Sequence, residues 1–395
     1  MTTRLKVVTV VGTRPELIRL SRVMALLDEV TDHRLVHTGQ NYDYELNEIF
    51  FSELGIRKPD HFLAVDTSSL GRMLGNILIA VEPVLREERP DAFLVLGDTN
   101  SSIAAIMAKR LKIPVYHMEA GNRSFDPNVP EEINRRIIDH LADFNLAYTE
   151  HGRRNLLAEG LHPRHVYVSG SPMREVLEHY RPGIDGSDVL ARLGLEAGGY
   201  FVASFHREEN VDDPDNLRQL VVALARLAGE HGIPVVVSTH PRTRSRMAAL
   251  GLEATEGLRF LKPFGFFDYN HLQIHARCAL SDSGTISEEA TILGFPAVTV
   301  RNSMERPEAL DSGGIVITGT DADRIVAAVG EVLALRAAGH RPEVPADYCV
   351  ANTSQRAVSL ILGTAGLHRR WANLTVSEPF WEDGAADPGP PGGRR

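Results

Sequence analysis

Short apolar runs separated by longer helical patterns recur along almost the whole chain. The first half carries KVVTVV, LVHT, AFLVLGD, PVYHME, FNLAY and VYVSG; the second carries YFVASFH, VVVSTH, LRFLK, CALSDSG, AVTVRN and GIVITG. Each run has strand length and is rich in β-branched or aromatic residues, and most precede stretches with helical periodicity such as SSIAAIMAKRLK. Strands that are apolar on both faces must be covered on both, which predicts an α/β chain with mainly parallel sheets. At 395 residues the chain is too long for one ordinary core. Around 181–199 the composition turns to Gly, Asp and Pro and the pattern then restarts. We read a hinge there, joining two doubly wound, Rossmann-like domains with a ligand cleft between them. The expected divisions are 1–180, 195–350, a C-terminal helix at 351–372 packing back toward the first domain, and a Pro/Gly-rich disordered tail at 376–395.

Composition removes several classes. Hydrophobic residues make up 43% and charged residues 24%, the usage of a folded globular protein. A net charge of −10 disfavours non-specific attraction to nucleic acid or an anionic membrane, so an anionic ligand would need local positive charge. Cys278 and Cys349 lie far apart without zinc-site spacing, which suits a reducing cytoplasm. The opening MTTRLKVVTVVGTRPE reads as a first strand rather than a leader, and no apolar window is long enough to span a bilayer.

In doubly wound sheets ligands bind where the carboxyl ends of strands meet helix N-termini. The polar clusters sit at those places: Gly12-Thr13-Arg14, Gly39-Gln40-Asn41, Gly97-Asp98, Glu119-Ala120-Gly121-Asn122-Arg123, His206-Arg207, His240-Pro241 and Asp282-Ser283-Gly284-Thr285. In HMEAGNRSFDPNVPEEINRR, Pro127 and Pro130 interrupt any helix. Glu119 therefore closes a strand, Glu131 opens a helix, and a rigid loop can join them. Several plainer readings stay open. Asp98 and Ser283 can be helix caps, His240 a turn residue, and Arg19 a solvated helix residue; one of Glu288 and Glu289 is expected to be exposed. Neither a P-loop nor GxGxxG follows the first strand, which counts against a P-loop kinase and a standard dinucleotide oxidoreductase.

Taken in order, GTRPELIRL, HTGQNYDYEL, VLGDTNS, HMEAGNRSFDPNVPEEINRR, FHREEN, SDSGTISEEATILGFP and RNSMERPEAL closely resemble the non-hydrolysing UDP-N-acetylglucosamine 2-epimerase family, over about residues 5–365. The resemblance implies a fold like that of GT-B glycosyltransferases, a UDP-sugar in the interdomain cleft, and no metal or nicotinamide cofactor. It also implies a homodimer and anti elimination of UDP to a 2-acetamidoglucal, followed by re-addition. Residue by residue, it makes Asp98, Glu119, Glu131 and His206 the catalytic group, with Glu119 or Glu131 moving the C2 proton. It places Arg14, Arg19, Gln40, Arg135, His240 and Arg306 around the substrate, Ser283, Gly284 and Thr285 at phosphate, Glu289 at the ribose, and Phe266, by side chain or backbone, at uracil.

This chain departs from the GlcNAc-specific branch in two places, reading EAGNRSFD for EAGLRT and DSGTISEE for DSGGIQEE. Those words look more like the branch acting on UDP-2-acetamido-2,6-dideoxy-L-talose. Asn41 stands where the family carries a His used in activation by a second UDP-GlcNAc, so that activation is expected to be weak or absent. A GT-B glycosyltransferase, a hydrolysing epimerase and a non-catalytic sugar-nucleotide-binding regulator are the rival readings.

Overall fold

The computed structural model describes residues 4–40, 44–127, 129–252 and 256–374; Asn41 and the 376–395 tail lie outside the described residues. Strands β1 (Lys6–Val11), β2 (Asp32–His37), β3 (His61–Phe62), β4 (Ala92–Leu96), β5 (Val115–Met118), β6 (Phe144–Ala147) and β7 (Val166–Val168) form one sheet, ordered β3-β2-β1-β4-β5-β6-β7. Strands β8 (Phe201–Phe205), β9 (Val235–Thr239), β10 (Leu258–Leu261), β11 (Ala279–Ser281), β12 (Ala297–Thr299) and β13 (Val316–Ile317) form a second, ordered β10-β9-β8-β11-β12-β13. Every pairing is parallel. In each sheet the order reverses beside the first strand, which opens a crevice at the carboxyl ends of β1 and β4 and again at those of β8 and β11.

Apolar residues on alternate faces of the first sheet feed two cores. Val7, Leu94 and Leu146 pack under the helix Arg14–Val30 with Leu17, Leu20 and Leu27. Val8, Phe93 and Val95 pack with Ile77, Val81 and Leu85 of the helix Leu70–Glu88. The terminal helix Thr353–Trp371 returns to the first of these cores, placing Ala357, Val358, Ile361 and Ala365 in it. The short strand β3 has no counterpart in the sequence reading, because two residues leave no periodicity to detect.

Between the sheets the chain forms short helices, Met173–His179, Arg181–Asp185 and Val189–Leu193, rather than an extended linker. Here Phe50, Leu54, Met173, Leu177 and Tyr180 of the first half meet Phe266 of the second. A Cβ on Gly183 would stand 2.6 Å from the Phe267 ring, so glycine there permits the close approach.

Candidate active site

The turn after β5 is built for one side chain. Glu119 has φ 67°, a left-handed conformation that non-glycine residues rarely adopt. Two residues on, Gly121 has φ 83°, and a Cβ there would lie 2.2 Å from the Gly152 carbonyl oxygen. The turn is thus pressed onto the start of the helix Glu150–Ala158. Beneath it, Asp139 accepts from the Gly121 amide at 3.1 Å and pairs with His117 at 2.9 Å and Arg123 at 2.7 Å. Arg123 also forks onto Glu159 at 2.8 and 2.6 Å. Glu132 accepts from the Ser124 amide at 3.0 Å and pairs with Arg135 and Arg136. Much of the charge in HMEAGNRSFDPNVPEEINRR therefore holds the loop in place.

Glu119 itself enters a buried ring of four charges that joins the two sheets. Its carboxylate accepts from Arg19, from Arg306 Nη2 at 2.5 Å and from Asn122 Nδ2 at 3.3 Å. Arg306 also pairs with Glu288, and Arg19 Nη2 closes the ring 4.0 Å from Glu288. Ser171 donates to the other oxygen of Glu288. Burial pushes the Glu119 carboxyl up, but Arg19 and Arg306 outweigh it and hold it at about 2. Arg19 is buried, not solvated, and both Glu288 and Glu289 are buried, so the expectation that one of that pair is exposed does not hold.

A second carboxylate has the opposite character. Glu131 lies in the first turn of the helix Pro130–Leu141, which opens with proline. Burial raises its carboxyl, and the nearby Asp98 charge raises it further against a weaker pull from Arg207. Asp98, just past β4, pairs with Arg135, which stands one turn along that same helix. Asn134 donates to the Asp98 carbonyl at 3.0 Å. Asp98 is engaged in this ion pair rather than in capping the segment that follows.

The second sheet contributes a cationic side. Asp282, fully buried after β11, accepts from the His206 and Arg207 amides at 3.0 Å, from His206 Nδ1 at 3.0 Å and from Asn210 Nδ2 at 3.1 Å. Burial raises its carboxyl, but His206 and these amides bring it to about 2. The imidazole of His206 is thereby oriented while nearly half of its side chain remains exposed. Arg207 is backed by Glu305 at 3.3 Å, and Glu305 is fixed by Arg301 at 2.6 and 2.9 Å. Ser283 and Thr285 share a hydroxyl bond of 2.9 Å ahead of the helix Ile286–Leu293. Thr285, not Ser283, is the N-cap residue, and no side chain caps that helix. Its first amides, with Gly284, form a surface suited to an anion. Glu289 accepts from Gln273 at 3.0 Å, and burial raises its carboxyl.

The remaining expected residues have neighbours of their own. The Arg14 guanidinium sits over the Phe50 ring, 5.6 Å from its centroid. Gln40 packs against Gly12, where a Cβ would meet its amide at 2.9 Å. His240 is the N-cap of the helix Pro241–Ala249, its ring accepting from the Arg242 amide at 3.3 Å. Phe266 is buried in the interdomain cluster and its amide donates to Glu53 at 2.6 Å, so its side chain is not presented to a ligand. Sequence reasoning gave no role to Glu288, Glu16 or Tyr148. Glu16 accepts from the Gly12 amide at 3.0 Å and the Thr13 hydroxyl at 2.7 Å, holding the loop after β1. Only its place in GTRPE marked it. Among the described residues no group of three or more His, Cys, Asp or Glu is arranged to hold a metal ion.

Comparison with known proteins identifies the family and the fold. Residues 25–362 match the family model for UDP-N-acetylglucosamine 2-epimerase. The structure is similar to that of UDP-N-acetylglucosamine 2-epimerase from Rickettsia bellii, with TM-score 0.85 and 44% identity, covering 93% of this chain and 98% of that one. It is also similar to the Methanocaldococcus jannaschii UDP-GlcNAc 2-epimerase in complex with UDP-GlcNAc and UDP, with TM-score 0.85 and 32% identity, covering 91% of this chain and 100% of that one. The chain is also 36% identical to the Pseudomonas aeruginosa UDP-2,3-diacetamido-2,3-dideoxy-D-glucuronate 2-epimerase, over 82% of this chain and 90% of that protein. The fold is GT-B-like, with the cleft between its two sheets.

Proposed function

The chain belongs to the UDP-N-acetylglucosamine 2-epimerase family, and from that premise we propose that it interconverts UDP-GlcNAc and UDP-ManNAc without hydrolysis. One base removes the proton from C2 as the C1–O bond breaks and UDP leaves with the electron pair, giving 2-acetamidoglucal. A proton then reaches the opposite face of C2, and UDP re-adds at C1. Atoms balance without a co-reactant.

The observation that carries this reading is the buried ring that sets Glu119 between Arg19 and Arg306 where the two sheets meet, which lowers its carboxyl, while burial and the Asp98 charge raise that of Glu131. Groups pushed apart in this way suit base and acid roles on two faces of one carbon. Glu119 takes the C2 proton and Glu131 supplies one from the other side. The charge of Glu119 is neutralised by Arg19 and Arg306. A diphosphate competes for those guanidiniums, so leaving-group binding would free the base. Asp98 orients Arg135, and His206, fixed by Asp282, meets the diphosphate together with the Ser283–Thr285 helix start.

A second reading concerns the sugar. Both departures from the GlcNAc branch fall inside the site: Asn122 donates to Glu119, and Thr285 bonds to Ser283. This keeps UDP-2-acetamido-2,6-dideoxy-L-talose as an alternative substrate for the same chemistry. Incubating the protein with each sugar nucleotide and separating products by anion exchange tests both. UDP-ManNAc from UDP-GlcNAc supports the first reading, and conversion of the 6-deoxy sugar alone moves it to the second. Free UDP with free ManNAc, or no conversion of either, would overturn the proposal.

A further inference from the structure

Tyr148 stands directly after β6, one strand over from the Glu119 turn; Met118 and Leu146 are register partners, and the Ala120 amide donates to the Leu146 carbonyl at 3.3 Å. Its ring is packed in the core with Leu20, Tyr116, Leu146 and Val358. Its hydroxyl is buried and meets no hydrogen-bond partner among the described residues. The charges of Glu119, Arg19, Arg306 and Asp98 nevertheless all act on it. A buried hydroxyl without a partner is costly, and phenylalanine would fill the same space without that cost. The hydroxyl is accounted for by a state in which an acceptor turns to it.

Such a state follows from the charge ring. Both oxygens of Glu119 are engaged in the free protein, by Arg19 on one side and by Arg306 and Asn122 on the other. Once the guanidiniums turn to a diphosphate, the carboxylate loses its strongest donors. Resting on the epimerase reading above, we propose that Tyr148 is a positioning residue, its hydroxyl taking over as donor to the Glu119 carboxylate when substrate is bound. Burial raises the phenol well above its ordinary range, so the group remains a neutral donor at working pH. The hydrogen bond keeps Glu119 aimed at C2 and ionised without quenching it as two arginines do.

Tyr148→Phe separates this role from a packing role. The variant is compared with the wild type by melting without ligand, by UDP affinity, and by kcat against pH. Melting is expected to be unchanged or higher, UDP affinity within about twofold, and kcat lower by at least about tenfold. The acid limb of the profile is expected to move to higher pH, because a carboxylate that loses a donor is more easily protonated. A kcat and acid limb equal to the wild type would overturn the proposal, as would a lower melting temperature, which would mean that the hydroxyl is already bonded in the free protein. Absence of turnover in the wild type would instead remove the epimerase reading, and this role with it.

Discussion

Glu119 and Glu131 are both glutamates of one twenty-residue stretch, yet their surroundings shift their carboxyls in opposite directions. Burial acts on both in the same direction. The difference is that two guanidiniums bracket Glu119, whereas the charge of Asp98 acts on Glu131. If Glu131 is the proton donor, activity is lost as pH rises through its raised pKa, so the alkaline limb of kcat/KM lies above the ordinary carboxylate range. Glu131→Gln is expected to lower kcat by at least about 100-fold and to abolish that limb. A near-normal profile in the variant would refute the assignment. At this scale the sequence was informative about residue types and poor about partners. The strand-end positions of Asp98, Glu119 and His206 follow from alternation and punctuation alone. That Arg123 serves Asp139 and Glu159, while Arg135 serves Asp98, depends on helix phase and loop path, which spacing does not specify.

At the scale of elements, the turn after β5 is where local cost is concentrated. A non-glycine residue at φ 67° is followed by a glycine at 83° lying against the Gly152 carbonyl. Gly121→Ala adds both a left-handed strain and a clash, and is expected to destabilise the protein by at least about 2 kcal/mol in urea unfolding, with loss of activity. A stable, active variant would contradict this account of the turn. The parallel strands themselves were legible because they are apolar on both faces, a pattern that helices on each side of a sheet require. The short helices of 181–193 were not, since Gly183 and Pro182 resemble a linker until Phe267 is seen packed against that glycine. Phe266 was similarly hidden, its side chain serving the interdomain cluster.

For the whole molecule, the ring of Arg19, Glu119, Arg306 and Glu288 fastens one sheet to the other. Arg306→Ala leaves Glu288 and Glu119 buried with fewer partners and is expected to cost about 3–5 kcal/mol, read from denaturant unfolding. The ring also sets an acid response. Because Glu119 is held below its ordinary value of 4.5, its contribution is present above that value and is lost as pH falls toward about 2. Melting temperature should therefore fall through that window, and less steeply in Glu119→Gln. The helix Thr353–Trp371 contributes Ala357, Val358, Ile361 and Ala365 to the first core, so a chain ending before Thr353 is expected to lose cooperative unfolding of its first half. The same two-sheet architecture also carries glycosyl transfer, so the fold by itself does not decide the reaction. The most direct measurement is proton NMR of the protein with UDP-GlcNAc in heavy water. The account predicts deuterium at C2 together with growth of UDP-ManNAc, whereas a C2 proton that never exchanges, in the presence of bound UDP-sugar, would contradict it.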